Sequence, residues 1–359
     1  MTTIETKSKN RQSRERYGAC VQVCTVSILS IVLLSGCLGG AKKRESKFPN
    51  GQLQERFFVD RLGKKEGPCA QWYWNGKRHE KCSYKDGKQE GPFTQWYEGG
   101  QKSLECSYRH GKREGQYTEW YENGKKWEEC TYKDGEQEGP YAQWYESGQK
   151  SLECTYRNGK LEGLYTQWQK NGKKQEEYTY KDGTQEGPYT TWYENGNKQE
   201  ECSYKDGKQE GPCTRWYQSG RKSVECTYRN GKLEGLYTQW LESGKKQEES
   251  TYKDGRQEGP YTRWYESGNK QEEGFFNDGN RQGPNTRWFD NGKKQEHCTY
   301  KNGKQDGPST QWYMNGNKQE QCTYKEGKQE GPYIRWRENG KKEGQGFYKD
   351  RIISRKHSS

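Results

Sequence analysis

Twelve tryptophans, Trp72, Trp96, Trp120, Trp144, Trp168, Trp192, Trp216, Trp240, Trp264, Trp288, Trp312 and Trp336, stand 24 residues apart without exception. Three glycine columns keep the same register, from Gly63 to Gly327, from Gly67 to Gly331 and from Gly76 to Gly340, and all 36 positions are glycine. A strict period of this kind marks a repeat architecture, in which no repeat buries its own core and neighbours must stack. Asn123-Gly124 and Asp134-Gly135 are dipeptides suited to a type I′ turn, where both central residues take positive φ. Between such dipeptides lie short runs rich in Tyr, Trp, Thr and Cys, which favour strands. Each repeat is therefore expected to be two short strands and two connections. The fold class that follows is all-β: an elongated array of about twelve 24-residue hairpins in a twisted antiparallel ribbon, roughly 115 Å long at about 4.8 Å per strand.

Composition agrees. Only 26% of residues are hydrophobic against 32% charged, and the mean hydropathy is −1.58, so aliphatic side chains are too few for an ordinary core. Aromatics make up 14%, and rings bury large areas, so the core must be built from Tyr and Trp. A doubly wound nucleotide-binding domain and an α-bundle are both excluded on these grounds. Alternation assigns the faces. With Gly99-Gly100 as a turn, Phe93, Gln95 and Tyr97 share a face with Leu104, Cys106 and Tyr108, while Thr94 and Trp96 look the other way. The formal charge is +12, but acids and bases alternate along the chain, unlike the basic stripes of nucleic-acid binders. Nucleic acid is not an expected partner.

The N-terminus carries an address. Five bases precede residue 20, an apolar run covers 21–34, and Leu34-Ser35-Gly36-Cys37 follows. At 14 residues the run is shorter than the roughly 20 that span a bilayer. A basic start, a short apolar run and small residues before a cut describe a secretory signal. The tetrapeptide resembles the lipobox of bacterial lipoproteins, which implies cleavage before Cys37 and acylation of that residue. The expected organisation is a signal peptide at 1–36, a lipid-anchored tether at 37–47, the repeat array at 48–348 and a tail at 349–359. The expected location is the cell envelope, and the outer membrane where two membranes exist, because Leu38 is not the aspartate of inner-membrane retention.

Tyr132-Lys133-Asp134-Gly135, followed after two residues by Glu138-Gly139, resembles the core of MORN repeats. The likeness is closest to the bacterial variant in YwqK-like antitoxin proteins, whose repeats end as Tyr193-Glu194-Asn195-Gly196 does here. That resemblance implies consecutive hairpins and a protein-binding role, including that of antitoxin or immunity protein to a secreted toxin. It covers the chain from about Phe48 to Tyr348. The second glycine of the classical motif is replaced by Tyr141 and its equivalents, so lipid-binding properties of other MORN arrays do not carry over.

Catalytic chemistry finds no foothold in the pattern. His79, His110, His297 and His357 occupy unrelated places in the repeat. The Asp-Gly turns are flanked by lysine, as in Lys85-Asp86-Gly87-Lys88, which suits turns better than a hard cation. The recurrent Gln-Glu-Glu runs read as a solvated edge. No enzyme, metal or cofactor is expected. Eight cysteines (Cys82, Cys106, Cys130, Cys154, Cys202, Cys226, Cys298 and Cys322) share one column, without the paired spacing of a zinc site, and read as a small buried slot. Cys69 and Cys213 lie outside it. Counting through Asn75-Gly76 and Ser219-Gly220, Cys69 faces Cys82 and Cys213 faces Cys226, at a separation a disulfide tolerates. Two disulfides are expected there.

The sequence thus describes a non-enzymatic envelope lipoprotein that offers an aromatic, charged sheet to a protein partner, with the Trp column as the binding surface. Alternatives are glycan or cell-wall binding through Trp and Tyr ladders, and a structural spacer. Cys37→Ala is expected to release the protein from membranes or leave its precursor uncleaved. Unchanged membrane fractionation and N-terminal mass would contradict the lipobox reading.

Overall fold

Asp134 and Gly135 take φ of 52° and 90°, and the same pair of positive values recurs at Asp182-Gly183, Asp206-Gly207 and Asp254-Gly255. Asp and Asn tolerate this region and Gly is free in it, so these turns are type I′, whose twist matches the strands they join. The other connection differs from expectation. Asn123 is not among the positive-φ residues; only Gly124 is, at 80°. The Gly124 N–H donates to the Tyr121 carbonyl at 2.9 Å and the Tyr121 N–H to the Lys125 carbonyl at 2.8 Å, a type I turn closed by a glycine bulge. A second bulge follows in the ladder, between Lys126 and Glu128, and restores the register that a two-residue turn would have set.

The computed structural model describes residues 40–351. Among them every regular element is a β-strand, and every pairing is antiparallel. The chain divides into two units, Met1–Lys112 and Arg113–Ser359. In the first, Lys42–Lys47 pairs with Leu53–Val59, and Gly67–Trp72 with Arg78–Lys85. The second continues with hairpins such as Gly115–Trp120 on Lys126–Lys133 and Gly139–Trp144 on Lys150–Arg157, consecutive strands pairing in chain order. The expected all-β hairpin array is what forms, as an open antiparallel sheet.

The segment expected to be a tether needs correction, because its Lys42–Lys47 part is a strand. Charge made it look like a linker, but an edge strand carries charge readily, and Glu45 pairs with Lys43 at 2.7 Å and Arg56 at 2.6 Å. Here the repeat is one residue out of step. Phe48 bonds Gln52 as Tyr73 bonds Lys77, an offset of 25, and the extra residue sits in the Asp60–Lys64 loop. Cys37 and the rest of the signal lie outside the described residues.

Neighbouring repeats are fastened through groups that a lone hairpin would leave to water. The Asp182 N–H donates to Glu162 Oε2 at 2.9 Å, and the Gly183 N–H to the Leu161 carbonyl at 2.8 Å. The same two bonds join Asp206 to Glu186 and Gly207 to Gln185. At the opposite edge the Tyr193 hydroxyl donates to the Trp216 carbonyl at 2.8 Å, and Tyr145, Tyr217, Tyr265 and Tyr313 do likewise to the next Trp. Immediately after Glu138, Gly139 takes φ of 84° and Pro140 has no N–H to lose; the ladder breaks there, shifting register between the Tyr132–Gln137 and Glu129–Ala142 pairs.

Removing one hydroxyl pin while keeping its ring isolates that bond. Tyr193→Phe is expected to lower the unfolding free energy by about 1 kcal/mol, read from urea denaturation. An unchanged midpoint would show the bond contributes nothing.

Candidate functional site

The two faces of the sheet separate as alternation requires. On one, Phe93 stands opposite Cys106, Tyr117 opposite Cys130 and Tyr189 opposite Cys202. Rings meet edge to face, Tyr117 on Tyr132 at 5.5 Å and Tyr189 on Tyr204 at 5.5 Å. Eight column cysteines are buried in this layer. Burial pushes the Cys130 thiol up to about 11 and that of Cys154 to about 12. Thiols held protonated in this way are inert as nucleophiles and poor metal ligands.

This layer is less apolar than expected. The first Glu of each Gln-Glu-Glu run points into it, so those runs are not a solvated edge. Glu272 is buried, as are Glu296 and Glu320, which hold the same position in Gln-Glu-His and Gln-Glu-Gln. Each carboxylate meets a cation or amide on the next strand: Arg215 Nε lies 2.8 Å from Glu200, Arg335 Nε 2.8 Å from Glu320, and Gln143 Nε2 3.1 Å from Glu128. Glu272 is ringed by Arg287 and Arg281, each at 3.0 Å, and by Arg263 at 3.6 Å. Burial pushes its carboxyl up, but the two nearer guanidinium groups prevail and hold it below the usual range.

Glu119 is the exception. It stands directly opposite Glu128, and the Tyr117 hydroxyl bonds to it. Burial first, and then the Glu128 charge, push its carboxyl up to about 7. This carboxylate pair occurs at one repeat, where the array elsewhere places Gln or Arg and once Thr191.

The expected disulfides are corrected. Cys69 and Cys82 are cross-strand partners, as counted, but both are free thiols. Each perturbs the other: hydrogen bonding to Cys82 lowers Cys69, and Cys69 together with burial raises Cys82. Cys213 also faces Cys226 as counted, yet it is bonded to Cys202 on its other side, and Cys226 is free. Glu200 lies beside that bond, but with both sulfurs joined no thiolate set remains for a metal.

On the opposite face the twelve tryptophans, Trp72 to Trp336, are all half-buried. Lys126 pairs across the hairpin with Trp120 and places its ammonium 5.8 Å from the ring centroid of Trp144. Lys150 does the same over Trp168 at 5.9 Å and Lys174 over Trp192 at 5.6 Å. Cation–π contact therefore alternates with the ring along the row. Each of these lysines also reaches a glutamate three residues on, Lys126 to Glu129 at 2.8 Å and Lys198 to Glu201 at 2.7 Å. Four large apolar side chains project from the same face: Leu164 and Leu236 are each 56% exposed, Phe275 44% and Phe347 71%. Alternation from the Trp column places them there, and their positions are filled elsewhere in the array by proline, serine or threonine, and once by Gln116.

A single-layered array of hairpins with a fastened turn row and a Trp–Lys face is a repeat protein of the MORN kind. The chain belongs to the MORN repeat variant family, whose model matches residues 113–134, 137–158, 161–182, 185–206, 233–254, 257–278, 281–302, 305–326 and 329–350. No curated protein matches. Among solved structures, a TcdB2–TccC3–Cdc42 crystal structure is similar at 10% identity, covering 82% of this chain and 23% of that one, with a TM-score of 0.15. A TcdB2–TccC3–TEV structure matches at 12% identity over 82% and 15% of the two chains, with a TM-score of 0.18. The Photorhabdus luminescens Tc holotoxin pore matches at 10% identity over 78% and 17%, also with a TM-score of 0.18. The chain spans less than a quarter of each, and overlaps this poor carry no argument.

The Glu119 pair has a pH signature. Its folded-state carboxyl titrates near 7 against an ordinary 4.5, so the folded protein holds a proton that the unfolded chain releases. Stability is then lost as pH rises between those two values and stays lost above them. Glu119→Gln is expected to flatten that slope and to raise the melting temperature at pH 8 more than at pH 5. Parallel slopes for variant and wild type would contradict the assignment.

Proposed function

We propose that the protein is a non-enzymatic interaction module that binds a protein partner through its Trp face. The observation that carries this reading is the exposure of Leu164, Leu236, Phe275 and Phe347 on that one face. Exposed apolar side chains set several strands apart along one face, on a surface otherwise made of rings and ion pairs, suit separate anchors for an extended protein partner. The tryptophans are half-buried, so they brace the sheet and contribute edge contacts, while the four apolar side chains supply anchors. A secreted toxin is the partner that the antitoxin resemblance favours. Anchoring through Cys37 would hold the array at an envelope membrane, the outer one where two are present. Glycan stacking on the Trp row is the second reading, and a spacer without a partner the third. Rings such as Trp144, Trp168 and Trp192 carry a lysine close to the face, which leaves less room for a sugar.

Two variants of the full chain separate binding from packing. Replacing Leu164, Leu236 and Phe275 by Ser is expected to leave the melting temperature within about 2 °C of wild type while partner capture from the source cells weakens. Replacing Trp192 and Trp216 by Thr is expected to broaden thermal unfolding. Undiminished capture by the first variant would overturn the assignment to this face. Retention on an uncharged polysaccharide without a captured protein would favour the glycan reading, and neither result the spacer.

A further inference from the structure

Two sets of lysines are treated differently by this fold. On the Trp face most lysines pair with a glutamate three residues on, as Lys150 does with Glu153 at 3.0 Å and Lys222 with Glu225 at 3.0 Å, the exceptions being Lys294, Lys318 and Lys342, which are followed by His297, Gln321 and Gln345. At the type I′ turns the arrangement is the reverse. In the second unit Lys205 stands directly across the ladder from Lys208, Lys301 from Lys304 and Lys325 from Lys328. Three further turns close on Arg157 opposite Lys160, Arg229 opposite Lys232 and Lys253 opposite Arg256. Like charges directly opposite destabilise a sheet, and here the cost recurs at six turns of one edge.

All twelve of these side chains are exposed. The three arginines reach a carboxylate, Arg157 to Glu162 at 3.8 Å, Arg229 to Glu234 at 3.4 Å and Arg256 to Asp278 at 2.6 Å. The nine lysines have no ion-pair partner among the described residues. Each tip carries two cations and at most one acid: Asn158, Asn230 and Asn302 are neutral, while Asp206, Asp254 and Glu326 are acidic. Below four of these tips a glutamate is engaged with a turn N–H, as Glu210 is with Asn230 at 2.7 Å, while Gln282 takes that place below Asn302 and Asp306 below Glu326. The row is thinnest at Asn277 and Asn280, where a groove of ≈590 Å³ opens between tips, lined by Lys232, Lys253 and Arg256 and equally by Asp254, Glu258 and Asp278, so the cations of the track lie at the tips and not in this groove.

We infer that this edge is a binding track for a linear anionic polysaccharide, separate from the Trp face. Successive tips stand two strands apart, about 10 Å, which is the step of one disaccharide in an extended β-linked glycan. A glycan with one carboxylate per disaccharide therefore presents one charge to each tip. Phosphates along a duplex strand come every 3.4 Å or so and fit the step poorly. No large apolar side chain sits at these six tips to enter a bilayer. The charged edge costs stability in the free protein and is offset when the polymer's carboxylates lie between the paired cations.

The test uses the full chain and hyaluronan, which has one carboxylate per disaccharide, with uncharged dextran as control. Wild type is expected to bind hyaluronan and not dextran, with affinity falling as salt rises. Replacing Lys205, Lys208, Lys301, Lys304, Lys325 and Lys328 by Gln is expected to weaken binding by about tenfold or more, since each lost cation removes a salt-sensitive contact. Replacing Lys126, Lys150, Lys174, Lys198, Lys222 and Lys246 by Gln removes the same charge from the Trp face and is expected to leave binding within about twofold. The edge variant should melt at or above the wild-type temperature, which also shows that it folds. Absence of hyaluronan binding, equal weakening by both variants, or a lower melting temperature for the edge variant would overturn the inference. So would tighter binding of single-stranded DNA or phosphatidylglycerol vesicles than of hyaluronan.

Discussion

The backbone N–H groups at the tip of a type I′ turn point away from their own hairpin, and the whole array depends on where those donors go. Here the tips give two of them to the preceding repeat: one to a side-chain oxygen 20 residues back, usually a glutamate, as from Asp206 to Glu186, and one to a carbonyl 22 residues back, as from Gly207 to Gln185. A tyrosine hydroxyl reaches a carbonyl 23 residues ahead at the other edge. These three offsets hold together only if every repeat has the same length. That is why Trp, three glycines and the turn residues recur without slippage, and why an extra residue is tolerated only in the Asp60–Lys64 loop, ahead of the first such clamp, which joins Asp86 to Glu66.

Stability in such a layer comes from neighbours more than from depth. Few side chains are fully buried, and those that are tend to be small or polar, Cys213, Cys298 and Ser250 among them. Carboxylates enter the ring layer because each finds a guanidinium or amide on the adjoining strand, and a buried charge is tolerable only when it is paired. Glu119 shows the cost when the partner is another acid.

Much of this was legible in the sequence, and the failures have definite causes. Strand period and turn dipeptides give the hairpins and their faces, and parity about the Asn-Gly loop puts Cys69 opposite Cys82 and Cys213 opposite Cys226 even though that loop is a different turn, because its two bulges cancel. The Cys202–Cys213 bond was not legible. Counted through Asp206-Gly207, Cys202 would face residue 211, but the bulge at Glu210-Gly211-Pro212 moves the register by two and brings Cys213 alongside. The inward glutamates were hidden because adjacent acids in a strand look alike until the face is known. The basic edge was hidden for the opposite reason: charges that alternate along the chain are sorted by the ladder into a face where most lysines meet a glutamate and a rim where the lysines meet none.

Amide hydrogen exchange on the intact chain tests the fastening between repeats most directly. The amides of Asp182, Gly183, Asp206 and Gly207 lie at exposed turn tips, where an unassisted hairpin would exchange them almost as fast as an unstructured chain. The account predicts protection of about a hundredfold or more at all four, because each donates to the preceding repeat. Exchange at the rate of free peptide would contradict it, and would leave the 24-residue period without a physical cause.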